Sequence, residues 1–123
     1  MPQKPVPEPL PDLPDPETAE EFLQRAWRHH STGDDLAAET DLKLAMALDS
    51  QLYDIHYLSG LIYRKRGERE SAIKEFQRAL EIVRSGAIQD DRNRHNMVQR
   101  MILSHLDFLN VKIPAEADQS GQA

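Results

Sequence analysis

Cysteine is absent from all 123 residues, which excludes disulfide bonds and thiolate chemistry. No apolar run approaches the roughly 18 residues that a membrane-spanning helix needs. The N-terminus carries proline where a signal peptide needs an apolar stretch, so the sequence reads as cytoplasmic. Basic excess is also missing. The net charge is −6, and a chain without a net basic face is a poor match for nucleic acid. Glycine is sparse, and the five glycines form no phosphate-cradling loop. No serine sits in a nucleophile elbow and no carboxylates stand out as an acid–base pair, so the expectation is that the chain is not an enzyme. Five histidines are present, His29, His30, His56, His95 and His105. None has the i, i+4 spacing with a third ligand that a zinc site requires, and adjacent His29 and His30 point about 100° apart on a helix. Neither metal nor cofactor is expected.

Proline is present but confined. Seven of the eight prolines fall within the first 16 residues, where helix and sheet are both blocked. Residues 1–18 also hold one lysine against four acids, so much of the negative charge lies there. Residues 1–16 are therefore expected to be a disordered, polyproline-like arm. It serves as a spacer, docks in an aromatic-lined groove of a partner, or folds back through Leu10 and Leu13. Residues 111–123, containing Pro114, are expected to be a flexible tail.

Between these ends the chain reads as one helical domain, residues 17–110. Two helix starts compete. Asp15 before Pro16 offers an N-cap with an N1 proline, and Thr18 with Glu21 offers a capping box. The spacing predicts helices of about 17–31, 34–48, 53–66, 68–84 and 90–109, punctuated by Gly33, Gly67 and Gly86. Buried stripes are expected at Leu42, Ala45, Met46 and Leu48 in the second helix. In the fifth they fall at Val98, Met101, Ile102, His105 and Leu109.

The middle of the chain repeats itself. Gly33, Ala38 and Ala45 recur 34 positions later as Gly67, Ala72 and Ala79. Ala26 answers Gly60, Leu42 answers Phe76, Leu48 answers Ile82 and Asp34 answers Glu68. Small residues returning at a fixed offset mean backbones that approach closely at equivalent places in two stacked units. Gly60 and Ala72 are expected where the two helices of the second unit touch.

Laid out this way, the chain resembles the tetratricopeptide repeat family, whose units of about 34 residues fold as two antiparallel helices. Residues 53–86 carry the resemblance through Gly60, Tyr63, Gly67, Ala72, Phe76 and Ala79. Residues 19–52 carry it less completely, through Ala26, Gly33, Ala38, Leu42 and Ala45. His29 stands where the family usually has tyrosine, and Ser50 and Arg84 replace the usual proline. The resemblance implies an all-α fold, a right-handed α-α superhelix of two helical hairpins. Arg94 falls where a third unit would need a small residue, so the fifth helix reads as a terminal cap.

The resemblance also implies a function. In the family the first helix of each unit lines a concave groove for an extended peptide or a helix. By position, that face comprises Leu23, Trp27, His30, Tyr57, Leu61 and Arg64. Leu23 and Trp27 stand where a carboxylate-gripping subset of the family needs Lys and Asn, so that clamp is absent and an apolar groove is left. The expected role is a non-catalytic scaffold that binds another protein. Trp27 reads equally as a core residue or as a binding hot spot.

The alternatives are a permanent structural or assembly subunit, or a self-associating homodimer. Fewer than three repeats is marginal, so the fifth helix or a second chain must cover the second hairpin. The cluster Arg64-Lys65-Arg66-Gly67-Glu68-Arg69 reads either as a solvated helix end or as a contact for an acidic partner, including the acidic tail of another copy.

Overall fold

A computed structural model describes residues 14–87, 92–109 and 111. The expected arm at 1–16 lies outside the described residues up to position 13, and the expected tail lies outside them beyond position 111. The described residues are all-α, with five α-helices and no strand: α1 (Ala19–Ser31), α2 (Asp35–Leu48), α3 (Tyr53–Lys65), α4 (Arg69–Ile82) and α5 (Arg92–Phe108).

Local chemistry sets the boundaries. Of the two starts available to α1, the Thr18 capping box is the one formed. Thr18 Oγ1 accepts from the Glu21 N–H at 3.1 Å, and Glu21 Oε1 accepts from the Thr18 N–H at 3.2 Å. Two orphan donors are satisfied together, which a lone Asp15 cap does not achieve. Gly33 then takes a φ of 86°, and Asp34 caps α2 by accepting from the Ala37 N–H at 3.1 Å. Gly67 repeats the turn with a φ of 78°, but Glu68 makes no side-chain cap. After α4 the chain widens into a π-type turn over Val83–Ala87, which Gly86 breaks at a φ of 92°.

Side-chain pairs fix the directions. Arg25 meets Asp41 and His30 meets Asp35, so α1 and α2 run antiparallel. The Glu68 N–H donates to the Tyr63 carbonyl across the turn and His56 meets Glu75 farther out, so α3 and α4 do likewise. Arg84 bonds Gln99 and Arg69 bonds the Leu109 carbonyl, which lays α5 antiparallel to α4. Helices α1, α3 and α5 are therefore parallel to one another, with their C-terminal ends together.

Two apolar clusters hold these helices. One gathers Leu23, Ala26, Ala38 and Leu42 with Ile55, Leu58 and Ile62, so the first hairpin packs on α3. The other gathers Tyr57, Phe76, Ala79 and Leu80 with Val98, Ile102, Leu106 and Leu109, so α5 closes the second hairpin. Trp27 and Leu61 pack against both.

Two expectations need adjustment. Leu48 is 56% exposed and lies outside the buried stripe of α2. Met101 is 41% exposed, and fully buried Leu106 occupies the α5 stripe instead. The nearest neighbour of Gly60 is the Phe76 ring, 2.8 Å from where a Cβ would stand, and Ala72 is fully buried in the same cluster as that ring.

Candidate functional site

The face expected to bind a partner is built from α1 and α3. Leu23, Trp27 and His30 succeed one another at intervals of four and three along α1, and Tyr57, Leu61 and Arg64 do the same along α3. Such spacing places each trio on one side of its helix. The Trp27 and Tyr57 ring centroids are 6.4 Å apart, so the two trios meet.

Their exposures differ. Leu23 and Tyr57 are 8% and 9% exposed and belong to the two core clusters. Trp27, His30, Leu61 and Arg64 are half-buried and form the accessible part of the face. Trp27 is thus a packing residue on one side and a surface residue on the other, as a half-buried aromatic is when its body is apolar and one edge stays wet. His30 is turned toward α2, where its Nδ1 lies 2.8 Å from Asp35 Oδ1.

Helix α5 adds two residues that the sequence could not place there. His105 stacks on Phe76 with centroids 4.7 Å apart, and its Nε2 lies 3.1 Å from the Tyr57 hydroxyl. Arg64 Nη1 donates to His105 Nδ1, which leaves the proton of a neutral imidazole on Nε2, facing the Tyr57 oxygen. Burial disfavours the imidazolium and the Arg64 charge opposes it further, so the His105 pKa lies below its ordinary value. The Arg64 guanidinium also sits over the Phe108 ring, 3.8 Å from its centroid. Burial likewise pushes the Tyr57 phenol above its usual range, with Asp54 adding to the effect.

The basic cluster is exposed from Lys65 to Arg69, as a solvated helix end is, and it also makes contacts within the chain. Lys65 reaches Asp35 at 3.2 Å and Arg66 reaches Glu39 at 2.6 Å, both at the start of α2. Arg69 caps the C-terminal end of α5 through the Leu109 carbonyl at 2.6 Å. Lys65 and Arg66 join the first hairpin to the end of α3, and Arg69 joins the end of α5 to the start of α4. Burial opposes ionisation of Asp35, but hydrogen bonds from His30 and Lys65 overcome it and hold the carboxyl below the usual carboxylate range.

Each hairpin carries its own polar side-chain pair between its two helices. Asp41 is almost fully buried and receives a two-pronged contact from Arg25, with Nη2 at 2.8 Å and Nε at 2.9 Å. Thirty-four positions on, Glu75 receives His56 Nδ1 at 2.9 Å. Four of the five histidines therefore have a polar partner: His30, His56, His105, and His29, whose Nε2 lies 3.6 Å from Asp41 Oδ2. Among the described residues no group of three or more His, Asp or Glu side chains could hold a metal ion. No helix among them is long and apolar enough to cross a membrane. No protein-family model, curated protein or solved structure matches the chain.

Proposed function

We propose that this chain is a non-catalytic protein-interaction module of the tetratricopeptide type. In this reading the two hairpins form a short right-handed superhelix capped by α5. The exposed edge of the α1–α3 face takes an apolar-bearing peptide or helix. The observation that carries the reading is the position of Trp27 and Leu61. Both are half-buried between the two core clusters and are held on helices whose own packing is complete. A rigid, partly wet aromatic beside an aliphatic side chain is the composition of an interface hot spot. Arg64, steadied by His105 and Phe108, supplies a cation at the C-terminal end of the same row.

Trp27 is the only tryptophan, so it reports on its own site. Peptides selected from a random library on the immobilised protein should change Trp27 emission and lose about tenfold or more in affinity on Leu61→Glu, which buries a charge in the interface. Selected peptides that leave the emission unchanged and ignore Leu61→Glu contradict the reading.

A second reading, as a permanent subunit of a larger assembly, draws on α2. Leu36, Leu44 and Leu48 are 74%, 42% and 56% exposed on that one helix. Large apolar side chains concentrated on an outer helix mark a contact surface. A subunit of this kind aggregates alone at concentrations where Leu36→Glu plus Leu48→Glu is soluble and monomeric. Equal solubility of the two proteins excludes it.

A further inference from the structure

Helix α5 has a second side that the packing leaves uncovered. At about 100° per residue, Val98, Ile102 and Leu106 face the second hairpin, while Asn93, Met97 and Arg100 lie opposite. Met97 and Met101 are 50% and 41% exposed. An open depression on this side is lined by Asn93, Asn96, Met97, Gln99 and Arg100. It combines an apolar, adaptable side chain with one cation and three amides. From Arg92 to Leu106 the helix contains three arginines and no carboxylate. Arg94 is engaged with Tyr53 and Asp54 on α3, whereas Arg92 and Arg100 are exposed.

This chemistry fits an acidic segment that also carries aliphatic side chains. One such segment is in the chain itself, Glu8-Pro9-Leu10-Pro11-Asp12-Leu13, where leucines alternate with acids and prolines. Its proline content limits the conformational entropy lost on docking.

Reach decides whose arm it is. Parallel α1, α3 and α5 lie side by side, and packed helix axes stand about 8–10 Å apart, so α5 is about 16–20 Å from α1. The depression lies on the far flank of α5, about another 5 Å out. Leu10 precedes the described residue Pro14 by four positions, an extended span of about 12 Å. Asp15 acts on the charge of Arg25 on α1, so the arm leaves from beside α1, and its extended span to Leu10 falls short of the α5 flank. Two α5 faces cannot pair with each other either, since arginine would meet arginine.

We propose that the Met97–Arg100 face of α5 binds the acidic, leucine-bearing N-terminal arm of a second copy of this chain. The contact joins unlike surfaces. It closes as a reciprocal exchange of arms between two copies or continues from copy to copy.

The test uses the full chain. Light scattering across a concentration series at low salt should show association that weakens as salt is raised, because the contact is exposed and charged. Arg100→Glu should raise the dissociation constant by about tenfold while leaving the thermal melt unchanged, since Arg100 is exposed. Asp12→Arg should do the same, and the two changes together should restore association. A spin label on Gln3→Cys, the only thiol in a cysteine-free chain, should broaden α5 amides of an isotope-labelled, unlabelled-thiol copy mixed with it. A chain that stays monomeric throughout overturns the proposal. So does association insensitive to Arg100→Glu, or an isotope-labelled copy whose α5 amides are not broadened by the spin-labelled one.

Discussion

The two hairpins solve the same packing problem with opposite distributions of volume. The first places Ala26 on its leading helix and Leu42 on its second, and both are buried. The second places Gly60 and Phe76 at the matching positions, with the ring so close that a Cβ at residue 60 would stand 2.8 Å from it. A methyl has moved from one helix and a ring has grown on the other. The Phe76 ring gives the second hairpin a platform on which His105 stacks, and through which α5 is held. The first hairpin has no ring at the matching position, and it leans on α3 through aliphatic residues, Trp27 and ion pairs. Equivalent positions in a repeat therefore follow what must dock beside them.

The largest effect is expected at residue 60. Gly60→Leu should cost about 1–3 kcal/mol by overpacking, a fall on the order of 10 °C in the melting temperature by calorimetry. The comparison is sharper as a cycle. Gly60→Ala and Phe76→Leu should each destabilise alone, one by a clash and one by a cavity. Together they rebuild the Ala–Leu arrangement of the first hairpin, so their combined cost should be less than the sum. Simple additivity would break the argument for compensating volumes.

Next come the ion pairs. Asp41→Ala leaves Arg25 without its partner and removes a buried carboxylate, at about 2 kcal/mol in denaturant titration. Glu75→Gln should cost less, since Glu75 is 25% exposed and Gln can still accept from His56. Equal costs would show that the two echoing pairs do the same work.

Acid should separate the hairpins further. His105 has a folded pKa below its unfolded value of 6.5, so the unfolded chain binds its proton first. Its contribution to stability is complete above 6.5 and falls as pH drops through the lowered folded value. As pH drops below 6.5, the docking of α5 should weaken, and His105→Gln should flatten that part of the stability profile. An identical profile in the variant would remove His105 from the account. The smallest contrast lies at the second-helix starts. Asp34→Ala should cost about 1 kcal/mol, whereas Glu68→Ala, which removes no cap, should be close to neutral.

Much of this architecture is legible in the sequence because its causes are local. Gly33, Gly67 and Gly86 stop helices through positive φ, and Thr18 with Glu21 starts one. The close approach at Gly60 is legible as well, and its nearest neighbour is the Phe76 ring. What escaped the sequence is long-range and polar. Tyr57 and His105 are 48 positions apart, and no periodicity announces a phenol–imidazole contact. The same holds for Arg66 and Glu39, separated by 27 positions, so an exposed charged cluster also pairs across to α2. In the candidate site, Trp27 and Leu61 reach the surface, whereas Leu23 and Tyr57 are mostly absorbed by the core clusters. Helical spacing assigns a face, and only packing decides how deep it lies.

The most direct measurement is amide chemical-shift mapping of the isotope-labelled full chain with a selected peptide. Shifts should concentrate around Trp27, His30, Leu61 and Arg64, with Trp27 indole broadening as its exposed edge is covered. Shifts confined to α2 around Leu36 and Leu48, with the Trp27 indole unmoved, would contradict a binding face on α1 and α3.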